Sequence, residues 1–339
     1  MQGDPLIFPW PKPEPGTLTE ILPGLLWLRL ALPFALDHVN VWVLDEGDGW
    51  AVIDTGYGDA PTRAVWEQVL ADPLAGRPLR RVVVTHFHPD HLGQAGWLVA
   101  RSGARFQMPR TEWLTGRMLS LDTSEGFVAA GDAFYRAAGL PEDLRLRLNA
   151  RGNRYRLGVA PVPPAFERLQ AGDELAIGGR PWRVIVGEGH APEQATFFSP
   201  DPPMLIAADQ ILPKITPNVA VWPSLPHADP LGDYLASLDR YAQLPEETLV
   251  LPSHRLPFRG LAIRLGQLRA HHSERLDATA AACAGPATAA EVMVRLFPRA
   301  LDLHQTGFAL GETLAHLNRL VAEGVVTRDG GEVWRYARR

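Results

Sequence analysis

With 339 residues, 46% of them hydrophobic and 21% charged, the chain has the composition of a folded globular protein, long enough for a large domain plus a small appendage. A formal net charge of -5 and a pI near 6.1 give it no general attraction to nucleic acid or to an anionic membrane. A single cysteine, Cys283, excludes an intrachain disulfide and a thiolate metal cluster, so a reducing, cytoplasmic setting is expected.

The N-terminal stretch MQGDPLIFPWPKPEPG lacks the basic and apolar regions of a signal peptide. Its alternating prolines predict an extended arm over residues 1–20 that wraps along the surface. From Leu22 to Thr55 the runs LLWLRLAL, VNVWVL and WAVIDT read as strands, the last two joined by the turn DEGDG. None approaches the roughly 20 apolar residues that span a bilayer, so no membrane partner is expected. Residues 60–70 have helical spacing, and RVVVT at 81–85 reads as a buried strand. Within 113–150, apolar residues at helical spacing are broken by Gly116, Gly126, Gly131 and Gly139, which predicts a helical insertion able to act as a lid. Trp113, Phe127, Phe134 and Tyr135 are expected there as core or lid aromatics. Strands return at 174–186, around a GGRP turn, at 195–208 and at 249–252, with helices over 231–242 and 261–280. After Cys283, helical spacing at 287–297 and 311–323 precedes VVTRDGGEVWRY, a hairpin expected to close at Asp329-Gly330-Gly331. The organisation expected is thus an arm (1–20), a catalytic domain (21–260), and a helical linker with a small winged-helix-like domain (261–339).

Chemistry concentrates in THFHPDHLG, residues 85–93, which packs three imidazoles and a carboxylate into six residues directly after a strand. Three histidines at set positions arise by chance on the order of 3 in 100,000 times per starting point, so the run calls for a function. His86 and His88 can face one cation, while Asp90 and His91, past Pro89, can face a second. Further donors stand where apolar runs stop: His190 after WRVIVGEG, Asp209 after MLIAA and His254 after LVLP. Strand ends are where open sheets present functional groups.

The ordered set HFHPDH, GEGHAPE, IAADQIL and LPSHR, preceded by the Asp54-Thr55-Gly56 strand end, resembles the metallo-β-lactamase fold superfamily across Leu22 to Pro257. The resemblance implies an α/β protein built as a four-layer αββα sandwich, with two divalent metal ions at one edge, zinc first and iron or manganese as alternatives. It assigns His86, His88 and His190 to one metal, Asp90, His91 and His254 to the other, and Asp209 to both, with Asp54 supporting the set from behind. The bridging aspartate is generally missing from true β-lactamases of this fold and present in members resembling glyoxalase II, lactonases and phosphodiesterases. It therefore implies a hydrolase in which two metals generate hydroxide to attack a small ester, thioester or lactone, with Asp90 or Asp209 relaying a proton.

RAHHSERL and the tail also resemble lactamase-β-like-2-related proteins, in which endoribonuclease activity is known, so a phosphodiesterase or ribonuclease is the rival reading. A metal-binding regulatory protein without catalysis is the third. Nucleic acid is disfavoured by charge: Gly285 to Arg339 carries seven arginines against six acids, and GETLAHLNRLVAEG has two Glu against one Arg. The module is expected instead to pack, to form a homodimer or to wall the substrate pocket. Among the other histidines, His38 and His227 are candidates to line that pocket, whereas His271, His272, His304 and His316 are expected in solvated or capping roles.

Overall fold

The computed structural model describes residues 5–72, 74 and 76–339, so the first four residues of the proline-rich arm lie outside the described residues. Twelve strands form two mixed sheets. The first holds β1 (Leu18–Leu22), β2 (Leu25–Ala31), β3 (His38–Asp45), β4 (Trp50–Ile53), β5 (Leu79–Val83), β6 (Arg105–Pro109) and β7 (Glu167–Leu169), in sequence order. It is antiparallel from β1 to β4 and parallel from there on. The second holds β8 (Glu174–Ile177), β9 (Arg180–Gly187), β10 (Gln194–Pro200), β11 (Pro203–Ala208) and β12 (Leu249–Pro252), with β11 and β12 parallel.

Side-chain alternation decides which face of each strand meets which layer. Trp27 and Trp42, cross-strand partners with rings 6.0 Å apart, point with Ile53 toward Trp182, Val184 and Phe197 of the second sheet. Their neighbours Leu28, Val41 and Val43 point the other way, beneath Trp66 of α1 (Ala60–Ala71) and Leu98 of α3 (Ala95–Ser102). With both faces covered, β2 and β3 read as nearly continuous apolar runs, and a one-residue slip would exchange the two cores. The outer face of the second sheet lies under α7 (Pro230–Ser237) and α8 (Leu261–Ala282), which completes the four layers.

Three short strands carry no apolar alternation to announce them: β1, β6 (RFQMP) and β7 (ERL) join by backbone pairing at or near the edge. The arm runs along the surface, with Ile7 exchanging backbone hydrogen bonds with Arg259 at 2.8 and 3.2 Å. The 113–150 region folds as the rest of α4 (Arg110–Leu121), then α5 (Glu125–Ala137) and α6 (Glu142–Asn149). It is tied down: Ala137 and Ala138 accept the backbone N–H groups of Trp334 and Ala290, and Phe134 is buried against Trp334. This segment links the sandwich to the C-terminal unit, where a lid would need to swing free.

That unit consists of α8, α9 (Ala289–Leu296), α10 (Leu303–Ala322) and the hairpin β13 (Val326–Asp329) and β14 (Arg335–Arg338), to which Ala287 adds a bridge at Tyr336. The hairpin loop runs over 330–334, longer than the tight closure expected. α10 starts well before Gly311 because Asp302 and Gln305 form a reciprocal capping box. Most of its residues from Thr306 to Leu320 are buried, so the stretch that would have to enter a nucleic-acid groove is the core of the unit. Among the described residues, no helix is long and apolar enough to cross a membrane.

Burial also revises two histidines expected in solvent. His272 and His316 are 2% and 1% exposed, with His272 Nδ1 3.4 Å from His316 Nε2, because the amphipathic face of α8 packs on α10. His316 Nδ1 donates to the Glu312 carbonyl, and His272 Nε2 has no hydrogen-bond partner among the described residues. Burial, followed for His272 by the charge of its imidazole neighbours, pushes His272 down to about 3; burial, resisted by the Glu312 carbonyl, leaves His316 at about 4. Unfolded imidazoles protonate near 6.5. Their contribution is complete above that pH and falls as pH drops toward about 4, because the unfolded chain then binds the extra protons. His272→Leu should flatten the acid limb of a thermal-melt series between these limits by up to about 1.4 kcal/mol per pH unit. Parallel curves for the two proteins would remove the pair as an acid sensor.

Candidate metal centre

All seven residues singled out as donors meet at one end of the sandwich, five on loops that follow strands and Asp90 and His91 on the short helix α2. After β5 the chain passes Thr85 into His86, and α2 (Pro89–Leu92) starts on Pro89, whose fixed φ turns Asp90 and His91 back toward the cluster. Asp209 follows β11 through Ala208 at φ 46°, and His254 follows β12 and precedes Arg255 at φ 71°. Asp54, beyond β4, stands at φ 65°. Such left-handed backbone costs about 1–3 kcal/mol for a residue with a side chain and persists where surrounding packing enforces it. His190 is reached through Gly189 at φ 94°, where a Cβ would lie 2.4 Å from the Pro230 carbonyl oxygen. Only glycine fits there.

Two donor groups result. In the first, His86 Nε2 is 3.0 Å from His88 Nδ1, which is 3.0 Å from His190 Nε2, and His190 Nε2 is 3.3 Å from His86 Nε2. In the second, His91 Nε2 and His254 Nε2 lie 3.6 and 3.5 Å from Asp90 Oδ2. Asp209 reaches both: Oδ2 is 3.3 Å from His190, while Oδ1 is 3.3 Å from His254 and 3.5 Å from His91. Three imidazoles have their far nitrogen held by an acceptor: His190 Nδ1 by the Asn218 carbonyl at 2.8 Å, His254 Nδ1 by the His38 carbonyl at 2.7 Å, and His91 Nδ1 by Asp54 at 2.8 Å. Those bonds assign the proton to Nδ1 and leave the Nε2 lone pairs facing inward.

Inward lone pairs a hydrogen-bond length apart repel one another unless a proton or a cation stands between them. His91 Nε2 and Asp209 Oδ1 are buried with no hydrogen-bond partner among the described residues, as expected of donors aimed at an ion. The acid–base balance agrees. Burial, then the neighbouring imidazoles, holds His86 and His88 well below the ordinary range, hence neutral. At His91 burial is outweighed by Asp90, Asp54 and Asp209, and at His254 by Asp209 and Asp90, so both are raised. Asp209, against its burial, is held well down by His254 and His91. The pocket calls for positive charge, and its imidazole and carboxylate donors suit a divalent cation.

Several neighbours have no motif to announce them. Thr85 donates its N–H and hydroxyl to Asp54 at 2.8 and 3.0 Å, and its Oγ1 is 2.9 Å from His86 Nδ1. Glu112, fully buried on α4, accepts the N–H of Phe87 at 3.0 Å and that of Glu193 at 2.5 Å, clamping the His86–His88 loop to the His190 loop. Burial pushes its carboxyl up to about 8. Tyr155 donates to the Phe87 carbonyl. His38 stands directly behind His254 and lines a cavity. His227 is placed elsewhere: its Nδ1 is 2.8 Å from Arg328 and its ring packs on Trp334, so it meets the C-terminal hairpin instead of the donor cluster. His304 is exposed, as expected, and its ring also stacks on Phe34, which meets Tyr57 edge-on, while Phe308 joins His304 to Trp222.

Known proteins resemble this chain. Residues 35–254 match the model of the metallo-beta-lactamase superfamily, and residues 276–339 match a metallo-beta-lactamase-like C-terminal domain. A crystal structure of a beta-lactamase domain protein from Burkholderia ambifaria is 42% identical, covers 98% of both chains and superposes with a TM-score of 0.91. A probable metallo-hydrolase of Bacillus subtilis, YqjP, is 25% identical over 88% of this chain and 93% of its own length. The Bos taurus acyl-coenzyme A thioesterase MBLAC2 is 26% identical over 68% of this chain and 78% of its own. Its fold, its histidine–aspartate clusters and these matches place the chain in the metallo-beta-lactamase superfamily as a metallo-hydrolase.

Proposed function

We propose that the protein hydrolyses thioesters with an apolar acyl group, using two metal ions, and that the carrying observation is the split reach of Asp209. One of its oxygens faces His190 and the other faces His91 and His254. In this reading His86, His88 and His190 hold one ion, Asp90, His91 and His254 the other, and Asp209 both. Zinc suits the mixed nitrogen and oxygen donors, and iron or manganese would also be accepted. Ions so held lower the pKa of a water bound to them and polarise the substrate's carbonyl oxygen.

The chain's own residues do the rest. Asp54 and Thr85 fix the orientation of His91 and His86, and the carbonyls of Asn218 and His38 fix His190 and His254. Asp90 is the most exposed carboxylate of the cluster, with 18% of its side chain accessible against 9% for Asp209, which favours it as the group passing a proton to solvent or leaving group. A thiol, with a pKa of about 8.5, is a far better leaving group than an alcohol, so a thioester demands little acid assistance. Phe34, Tyr57, Trp222 and Phe308 form an apolar wall suited to an acyl chain, the last contributed by the C-terminal unit. The thioesterase name of one relative supports the same substrate class. A ribonuclease is less favoured, since α10 is buried where groove recognition would expose it.

Turnover of acyl-coenzyme A and acyl-glutathione thioesters is expected, and a chelator should abolish it. Asp209→Asn should carry fewer than two metals per chain by elemental analysis and lose about a thousandfold in kcat. Fewer than two metals in the reconstituted wild type would overturn the binuclear reading, and cleavage of RNA but not thioesters would move the assignment to the phosphodiesterases.

Asp54→Asn separates positioning from folding. The variant should keep its circular-dichroism spectrum and thermal midpoint within a few degrees, while metal affinity in chelator competition falls about 10–100-fold. An affinity equal to wild type would deny Asp54 its role behind His91.

A further inference from the structure

His254 is presented by a turn that contains no glycine between Pro252 and Pro257, yet Arg255 stands there at φ 71°. That is the left-handed region, which a side chain makes costly. His190, by contrast, is reached through Gly189, which takes φ 94° without that cost. In an ordinary four-residue turn the N–H of the last residue donates to the carbonyl of the first. Here both groups find partners on the other sheet. The Arg255 N–H donates to His38 Nε2 at 2.8 Å, and the Pro252 carbonyl accepts from Asn40 Nδ2 at 2.8 Å.

Three further hydrogen bonds join residues 252–255 to the same two residues of β3. The Asn40 amide also donates to the Arg255 carbonyl at 2.9 Å, its backbone N–H donates to the Ser253 carbonyl at 2.6 Å, and the His38 carbonyl accepts His254 Nδ1 at 2.7 Å. His38 and Asn40 alternate along β3 with Trp42, which faces the second sheet, so strand periodicity brings both polar side chains to the turn. Both partners of Asn40 Nδ2 are carbonyls, which fixes the amide with its nitrogen toward the turn. Asn40 is fully buried and its Oδ1 has no hydrogen-bond partner among the described residues, a cost that the two bonds of its nitrogen offset. His38 Nδ1 faces Asp37 Oδ1 at 2.5 Å, and Asp37 lies 3.3 Å from buried Arg29. The carboxylate takes the Nδ1 proton and leaves Nε2 free to accept.

We propose that the side chains of Asn40 and His38 are positioning groups for the metal ion held by His254, acting through the turn at 252–255 and touching neither ion nor substrate. The inference rests on the binuclear reading and adds the groups that set one of its two positions. His254 Nε2 lies 3.5 Å from Asp90 Oδ2 and 3.3 Å from Asp209 Oδ1, and a shift of the turn by about 1 Å would spoil that convergence. The other donors are held from elsewhere. Thr55 donates its N–H and hydroxyl to the His91 carbonyl at 2.9 and 2.7 Å, and Asp54 holds the His91 ring. Glu112 holds the His86–His88 loop, and the Asn218 carbonyl holds His190. Loosening the grip of β3 therefore weakens one ion and spares the other.

The test titrates zinc into the full chain and into two variants of it. Asn40→Leu keeps the shape of the amide and loses both of its N–H groups, whereas His38→Phe keeps the ring and the backbone carbonyl and loses the Nε2 acceptor. Chelator competition that resolves two zinc constants should show one of them weakened about tenfold or more in Asn40→Leu and about fivefold in His38→Phe, with the other within about twofold of wild type. Crystals of the metal-free variants should show His254 Nε2 moved out of reach of Asp209 and His190 in place. Unchanged constants would overturn the proposal, and so would equal losses of both, which mark general damage to the fold. Should Asn40→Leu fail to fold, His38→Phe decides by the same measurements. Should the wild type bind a single zinc, the binuclear reading fails and the crystals decide: a displaced His254 beside an unmoved His190 supports the positioning role, and an unmoved His254 overturns it.

Discussion

Imidazole nitrogens with their lone pairs turned inward, 3.0 to 3.3 Å apart beneath Asp209, form an arrangement that no polypeptide adopts for its own stability. Left to themselves these groups would turn to water, and the sandwich prevents it. His86 and Asp54 follow neighbouring parallel strands of one sheet, while Asp209 and His254 follow neighbouring parallel strands of the other, so the spacing of the cluster is set by strand pairing and sheet packing. The Trp27–Trp42 pair and the layer beneath it are therefore part of the site's precision. Left-handed backbone at Asp54, Ala208 and Arg255 shows where the chain is bent away from its preferred conformation to complete the set.

Nitrogen orientation depends on partners that lie further out, and these partners tie the cluster to the rest of the chain. The His38 carbonyl connects His254 to the start of β3, and the Asn218 carbonyl connects His190 to the loop that continues into the C-terminal unit through the Val221–Gly311 hydrogen bond. Glu112 joins the two histidine loops through their backbones, using both carboxylate oxygens. A buried carboxyl group accepting two N–H groups costs less than one left unpaired, and it holds loops that side-chain packing alone would leave free to shift.

The sequence made the donors legible because metal chemistry restricts residue types and the sheet restricts their positions: an apolar run that stops at His190, Asp209 or His254 marks both at once. The strands that carry them were legible for the same reason. What it concealed divides by cause. The Asn218 and His38 contributions are backbone carbonyls, which have no side-chain signature. Glu112 occupies an ordinary helical position whose burial depends on α4 docking over two distant loops. His272 and His316 read as surface residues because the partner of α8 is a helix more than thirty residues further along. Strands β6 and β7 are short and polar enough that only their neighbours make them strands. Lys12 and Lys214 were visible as the only lysines, yet nothing short of the fold brings residues so far apart to one cavity.

Two surfaces outside the donor cluster differ in chemistry. Phe34, Tyr57, Trp222 and Phe308 form an aromatic surface joined through His304, whereas behind His254 the cationic side chains of Arg29, Arg255 and the two lysines line a cavity. Apolar surface gains by excluding water from an acyl chain, while charged surface attracts an anion over a longer range and orients it before contact. In the proposed reading, the acyl chain of a thioester would lie along the aromatic surface, with its scissile bond toward the metal donors. Each surface draws on a segment outside the sandwich, Phe308 of α10 in one and Phe8 and Lys12 of the proline-rich arm in the other, while the central fold carries the metal donors.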